Sequence, residues 1–235
     1  MVGDSDIPVV QHFPSLSEAQ QIQLVKDGLA VRDPVQISEY FRQGDLSLTD
    51  QVAFLKGLEA NDGALDRYEW LGSININGQQ IDRVLVHFKK DERPRNRIAA
   101  IIADSTGKWR IDFDAFARTS TPSWDSTTFG DSEPAKVRVY VTKDNYYNGL
   151  FKNEKEWMCV GFASPDSEKT FTGYCKIGSP QASAMKWIVS KDTRMNRAFL
   201  EIRHVDGAEP RQFIISQVIA EDWVLGVQSF DKRFQ

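Results

Sequence analysis

From Tyr68 onward the 235-residue chain changes its period, and that change limits its folds more than any other feature. Four stretches, residues 70–76, 81–89, 97–103 and 108–117, are short and rich in β-branched and aromatic side chains. Turn chemistry separates them: Asn77-Gly78, then Glu92-Arg93-Pro94-Arg95-Asn96, then Ser105-Thr106-Gly107. Connections this short do not cross a sheet, so the four strands are expected as an antiparallel meander. In the last stretch Trp109, Ile111 and Phe113 alternate with Arg110, Asp112 and Asp114, giving one apolar face and one polar face. A sheet with an apolar face must be covered, and the segments before it read as the cover.

Residues 15–30 are patterned as a helix, with Ser15 and Glu18 as a capping box and an imperfect stripe through Leu16, Ala19, Ile22 and Val25. Gly28 marks its end. Asp33 suits an N-cap and Pro34 the first helical position, where its missing N–H costs nothing. Val35, Ile37, Tyr40 and Phe41 follow, and Gly44 stops this second helix. A third opens near Ser47 or Thr49, carries Val52, Phe54, Leu55 and Leu58, and closes at Asn61-Asp62-Gly63. Residues 1–14 lack periodicity and read as a tail. Residues 15–118 are thus expected as an α+β domain, helices on a four-stranded antiparallel meander.

Residues 119–135 are rich in Ser, Thr, Asp and Pro and read as a linker, with Trp124 and Phe129 able to dock on a domain. Residues 136–235 follow as a second domain. Val137, Val139 and Val141 alternate with Arg138 and Tyr140 in a first strand. Residues 157–163 and 170–177 give two more, joined by Ser164-Pro165-Asp166-Ser167. Ser179 caps and Pro180 starts a helix that buries Ala182, Met185, Ile188 and Val189. Residues 197–205 and 212–218 close with a hairpin across Asp206-Gly207. The order β-β-β-α-β-β is that of an OB-fold, a five-stranded barrel with one helix.

Three segments carry a resemblance: Trp109-Arg110-Ile111-Asp112-Phe113-Asp114-Ala115-Phe116, Ala163-Ser164-Pro165, and Ile215-Ser216-Gln217-Val218-Ile219-Ala220-Glu221-Asp222-Trp223. With them the chain resembles a set of uncharacterised bacterial two-domain proteins. In these a cystatin-like or nuclear-transport-factor-like α+β half precedes a small OB-like β-barrel. The resemblance spans residues 34–225 and implies a fold, not an activity.

Charge and motifs weaken several functional classes. The net charge of -4 divides unevenly. From Lys136 onward there are 15 Lys/Arg against 12 Asp/Glu, and before it 14 against 21. That is no footprint for nucleic acid. No apolar run is long enough to span a bilayer, and residues 1–6 lack the features of a signal peptide. Localisation stays open: exported or periplasmic if a leader or anchor was trimmed, otherwise cytoplasmic. His12, His87 and His204 lie far apart and two cysteines cannot complete a four-ligand zinc site, so neither metal nor cofactor is expected. GxGxxG, GxxxxGK[ST] and GxSxG are absent.

The remaining candidates each have two readings. If residues 157–163 and 170–177 form a hairpin turning at Asp166-Ser167, paired residue numbers sum to 333 or 334. Cys159 and Cys175 then stand opposite or nearly so, either as a cross-strand disulfide or as two buried thiols. Asp112 and Asp114 either hold a divalent cation or divide acid and base roles or, as favoured, form the solvent side of a strand, paired with Arg97 or Arg110. His87 with Asp112 or Asp82 is the enzyme candidate, an acid–base pair in a cystatin-like cone, unless Trp70, Phe88, Trp109 and Phe113 fill that cone. Tyr140, Tyr146, Tyr147, Trp157 and Phe162, with Arg138, Lys143 and Lys152, could stack a nucleic-acid strand. Tyr140 is expected outside and Trp157 in the core, and Tyr146-Tyr147 reads better as a loop tip for protein or peptide contact. The leading expectation is a non-catalytic binding or scaffolding protein acting through such contacts. The alternatives are a small-molecule or enzymatic pocket in the first domain and single-strand nucleic-acid binding by the barrel. Nothing in the sequence sets the oligomeric state.

Overall fold

The computed structural model describes residues 13–76, 78–124, 133–167, 169–191, 196–226 and 228–235. The expected tail, except Phe13 and Pro14, lies outside the described residues, as does Phe129. The chain divides into two compact units, Met1–Phe116 and Ala117–Gln235. Both mix helices with a largely antiparallel sheet, and among the described residues no helix is long and apolar enough to cross a membrane.

The first unit contains α1 (Glu18–Ala30), α2 (Pro34–Tyr40), β1 (Phe41–Arg42), α3 (Leu48–Asp62), β2 (Ala64–Ile76), β3 (Gln79–Lys90), β4 (Arg93–Ala103) and β5 (Trp109–Asp112). Strands β2 to β5 form the expected antiparallel meander. The sheet has five strands, however, because β1 joins β5 in parallel, Phe41 opposite Ile111 and Arg42 opposite Asp112. The second helix therefore stops at Tyr40, and Phe41 is extended. Asp33 caps that helix as read, and Ser47 and Gly63 bound α3. The capping box of α1 is Ser17 with Gln20, not Ser15 with Glu18. Ser15 is drawn elsewhere, its hydroxyl donating to Asp82 at 2.9 Å.

The last strand is shorter than its alternation implies. The Asp112 carboxylate accepts the N–H of Ala115 at 2.9 Å, which turns the chain into a short helix, α4 (Phe113–Ala117). Phe113 and Phe116 are then three residues apart on one helical face, both edge-on to Phe54 of α3. The helices cover the β3 face that carries Asp82, Val84, Val86 and Phe88. Gln21 of α1 donates to Asp82, and Asp62 of α3 pairs with Arg97, which stands opposite Val86. Two bulges, between Leu65 and Arg67 and between Trp70 and Gly72, bend β2.

The second unit contains β6 (Ser120–Thr121), β7 (Ala135–Lys143), β8 (Trp157–Ala163), β9 (Thr170–Lys176), α5 (Pro180–Val189), β10 (Asn196–Arg203) and β11 (Gln212–Ala220). The order is β10-β11-β9-β8-β7-β6, and β10 pairs with β7 as well. Among the described residues of this unit, β9 and β11 are the one pair that runs parallel. Strand β6 is a sixth strand taken from the expected linker, pairing Ser120 and Thr121 with Val137 and Lys136. Ser179 caps α5, accepting from Ala182 N–H at 3.1 Å. The core gathers Val137, Val139, Val141, Phe162, Met185 and Phe213, with Trp124 against it and stacked on Phe171 at 5.4 Å. Trp157, expected in this core, is only partly buried and sits against Phe151 instead.

Candidate functional site

The structure does not bring the enzyme candidates together. Strand β3 is regular, so Asp82 and His87, five residues apart, project to opposite faces. Asp82 is fully buried, accepting from Ser15, from Ser73 at 2.5 Å and from Gln21 at 3.2 Å. On the other face His87 Nε2 lies 2.8 Å from Glu69 Oε2. Asp112, besides capping α4, pairs with Arg42 at 3.3 Å. Asp114 accepts the N–H of Asp45 at 3.1 Å, and a Cβ on Gly44 would meet its carboxylate. The two carboxylates are therefore buried fastenings, which corrects the expected solvent face. Of the two arginines read as their partners, Arg97 pairs with Asp62 and Arg110 with Asp104. Among the described residues no three His, Cys, Asp or Glu are grouped to hold a metal ion.

The aromatic residues expected to fill a cone in the first unit divide. Phe88 and Phe113 are buried, whereas Trp70 is 43% exposed and donates its indole N–H to Gln21 at 3.0 Å. A cleft of about 240 Å³ opens instead beside α1 and α3, over Leu29, Leu55, Leu58 and Phe88 with Arg32 and Lys56 at its edge.

The cysteines do not form the cross-strand disulfide. The β8–β9 register sums to 333, pairing Cys159 with Tyr174 and Cys175 with Met158. Adjacent residues face opposite ways, so the two thiols project from opposite faces of the sheet, and both are free and buried. Cys175 lies in the main core and Cys159 in an outer cluster with Phe151 and Tyr174. Burial, reinforced by the charge of Asp144, pushes the Cys159 thiol up to about 11, and burial raises Cys175 as well.

The four residues read as a binding set also separate. Arg138 is buried, donating to Trp223 O at 2.9 Å and Thr119 Oγ1 at 2.8 Å with its guanidinium 4.0 Å from the Phe199 ring centre. Being buried among these partners, it is not a surface cation. Tyr146 and Tyr147 belong to the loop 144–156, which lies on the outer face of the sheet. Tyr146 O accepts from Tyr174 OH at 2.5 Å and Cys159 Sγ at 3.6 Å. Asn148 donates to Glu209 at 2.8 Å and accepts from Gln212 at 2.5 Å, which ties the loop to residues 204–212. Phe151 stacks flat on Tyr174 at 4.0 Å, and Tyr147 packs beside them. Tyr146 keeps 47% of its surface exposed, but its backbone is fixed.

Tyr140 alone stays at an opening. Its ring lies 5.2 Å from that of Trp223 and borders a trough of about 440 Å³. Register builds this trough on the outer face of β7, β8 and β9. One row across the strands is Tyr140, Ala163 and Thr170; the next is Thr142, Gly161 and Thr172. Small residues occupy the middle strand and larger ones the flanks, so β8 is a floor between walls roughly 9–10 Å apart. Lys143 ends β7 and Asp144 follows it. At Gly161 the absence of a side chain lets the Asp144 carboxylate come close over the floor, since a Cβ there would lie 3.3 Å from it. Alternation already places Thr142, Gly161 and Thr172 on outward positions, but only the pairing of three strands makes them neighbours. The lining includes the hydroxyl-bearing Tyr140, Thr142, Thr170 and Thr172, with Lys143 and Asp144 beside them.

No family model, curated protein or solved structure matches the chain.

Proposed function

We propose that the chain is a non-catalytic binding protein whose second unit is an OB-like barrel holding its ligand in the trough of β7, β8 and β9. The barrel reading is supported by the pairing sequence β7-β8-β9-β11-β10 with β10 returning to β7, by the single parallel pair, and by α5 between β9 and β10. The first unit, helices before a bent antiparallel sheet, is read as a cystatin-like scaffold with a filled interior. Fold alone does not make a function. The observation that carries the proposal is the trough itself, a small-residue floor between threonine walls on a rigid sheet. The nucleic-acid reading loses one of its three cations, because Arg138 is buried, and Lys143 is followed directly by the acidic Asp144. The loop-tip reading loses its free aromatic pair, because Tyr147 packs against Phe151 and Tyr174.

A small-molecule fragment screen followed by backbone amide NMR tests this. Hits are expected to shift Thr142, Gly161 and Thr172 together and to vanish in Gly161→Leu, whose side chain fills the floor. Hits that gather only in the first-unit cleft, or none at all, overturn the proposal, as does binding in the trough that Gly161→Leu leaves unchanged.

A further inference from the structure

We infer that the long edge of the first sheet joins two copies of this chain, β2 lying antiparallel to β2 about a two-fold axis at Tyr68. The two ends of that sheet are unequal. Strand β1 closes one end with two residues, too few to template another strand, whereas β2 closes the other with thirteen. Among the described residues β2 pairs with β3 alone, and from Ala64 to Trp70 every residue except Tyr68 is exposed. Beyond that run the edge is met by Ser15, whose hydroxyl lies 3.2 Å from that of Ser73. A free edge carries a row of backbone N–H and C=O groups able to bond another strand. Two bulges, between Leu65 and Arg67 and between Trp70 and Gly72, bracket a regular run, and a partner strand can lie along that run.

Charge selects a second copy as the occupant. Arg67 stands across from His87 and Glu69 across from Leu85, so both project from the outer face of the sheet. With the axis at Tyr68, paired residue numbers sum to 136. Arg67 then faces the partner's Glu69, and Glu69 faces the partner's Arg67. Unlike charges opposed on one face stabilise a strand pair, and like charges destabilise it. Of the two-fold registers centred between Arg67 and Trp70, this is the one that opposes unlike charges. A sum of 135 opposes Asp66 to Glu69, 134 opposes Arg67 to itself, and 138 opposes Glu69 to itself. The other face adds apolar surface. Tyr68, across from Val86, meets the partner's Tyr68 on the helix side, flanked by Leu65 and Trp70, 48% and 43% exposed. These rings are already held, Trp70 by Gln21 at 3.0 Å and Tyr68 beneath the Lys26 ammonium, 5.5 Å from its ring centre. Pairing therefore costs little side-chain entropy.

The test is sedimentation equilibrium of the full chain across micromolar concentrations, with circular dichroism to confirm that each variant is folded. The parent protein is expected to reach twice the mass of one chain. Glu69→Arg opposes arginine to arginine at two places and is expected to weaken dimerisation about tenfold or more. Adding Arg67→Glu to it swaps both charges and is expected to restore the dimer, which a merely damaged surface would not do. Tyr68→Cys places a thiol on the axis and is expected to crosslink one copy to the other under mild oxidation, whereas Leu65→Cys, off the axis, is not. A monomer at every concentration overturns the inference, including one whose β2 amides shift instead with an added alternating valine–threonine peptide. So does a dimer that Glu69→Arg leaves intact, a double variant that stays monomeric, or a dimer in which Tyr68→Cys fails to crosslink.

Discussion

Replacing Asp62 by Ala is expected to destabilise the first unit by about 4 kcal/mol. Arg97 Nε donates to Asp62 Oδ2 at 2.6 Å and Nη2 to Oδ1 at 3.3 Å. Their side chains are only 4% and 8% exposed. A third donor, Nη1, reaches Phe116 O at 3.1 Å, and the guanidinium lies 5.2 Å from the Phe54 ring centre. The pair therefore ties α3, β4 and α4 together. Removing the carboxylate takes two charge-assisted hydrogen bonds from a buried guanidinium, a change that costs about 3–5 kcal/mol. For a unit of this size that is a fall in Tm of about 15 °C. The double variant Asp62→Leu with Arg97→Met removes both desolvation costs and is expected to recover most of the loss. Urea unfolding with amide exchange read at β3 and β4 reports this unit separately. A loss below about 1 kcal/mol would refute the reasoning, as would a double variant no more stable than Asp62→Ala.

Gly63→Ala is expected to cost more than about 3 kcal/mol, since φ is +93° and the new Cβ would lie 2.1 Å from Lys89 O; a urea midpoint within error of the parent protein contradicts this. Arg138→Lys is expected to lose about 2 kcal/mol, because an ammonium cannot both reach Trp223 O and Thr119 and stack on Phe199; thermal unfolding measures it. Cys159, raised from 9.0 to about 11, favours the folded state fully below pH 9, and that contribution is lost as pH rises through 11. Stability should therefore fall more steeply between pH 9 and 11 in the parent protein than in Cys159→Ala. Thiol titration in urea should find two free thiols per chain, and none would restore the disulfide. His87→Asn should change stability by less than about 1 kcal/mol, as its partner Glu69 is half exposed; a larger loss would give the pair a structural role.

Elements were legible in the sequence wherever a local rule decided them. Asp33-Pro34, Ser47, Gly63 and Ser179-Pro180 bound their helices because a cap depends on neighbours in the chain. The Val137-Val139-Val141 alternation reported its strand for the same reason. What failed depended on distant residues. Phe41 and Arg42 become a strand only because β5 offers an edge, and two residues carry no period. Asp112 ends β5 by turning back on Ala115, against an alternation that continues to Phe113. Arg138 looked like a surface cation on the polar side of its strand until the segment around Trp223 covered it. The disulfide turned on a single integer: 334 places both thiols across from each other, and 333 places them on opposite faces.

The same integer decides where the second unit can bind. On the outer face of β8, Cys159, Gly161 and Ala163 follow one another, and Tyr174, Thr172 and Thr170 stand across from them. At Cys159 and Tyr174 the surface carries a thiol and a phenol that hold Tyr146 O, so the loop 144–156 settles there and seals that end. Two residues further on the floor falls to Gly161 and then Ala163, and the phenol opposite gives way to threonine. No ring remains for the loop to stack on, and the hydroxyls stay available. A one-residue slip would put Phe162 on the outer floor and Gly161 in the core. Packing thus fixes the register, and through the register it fixes which hydroxyls line the trough.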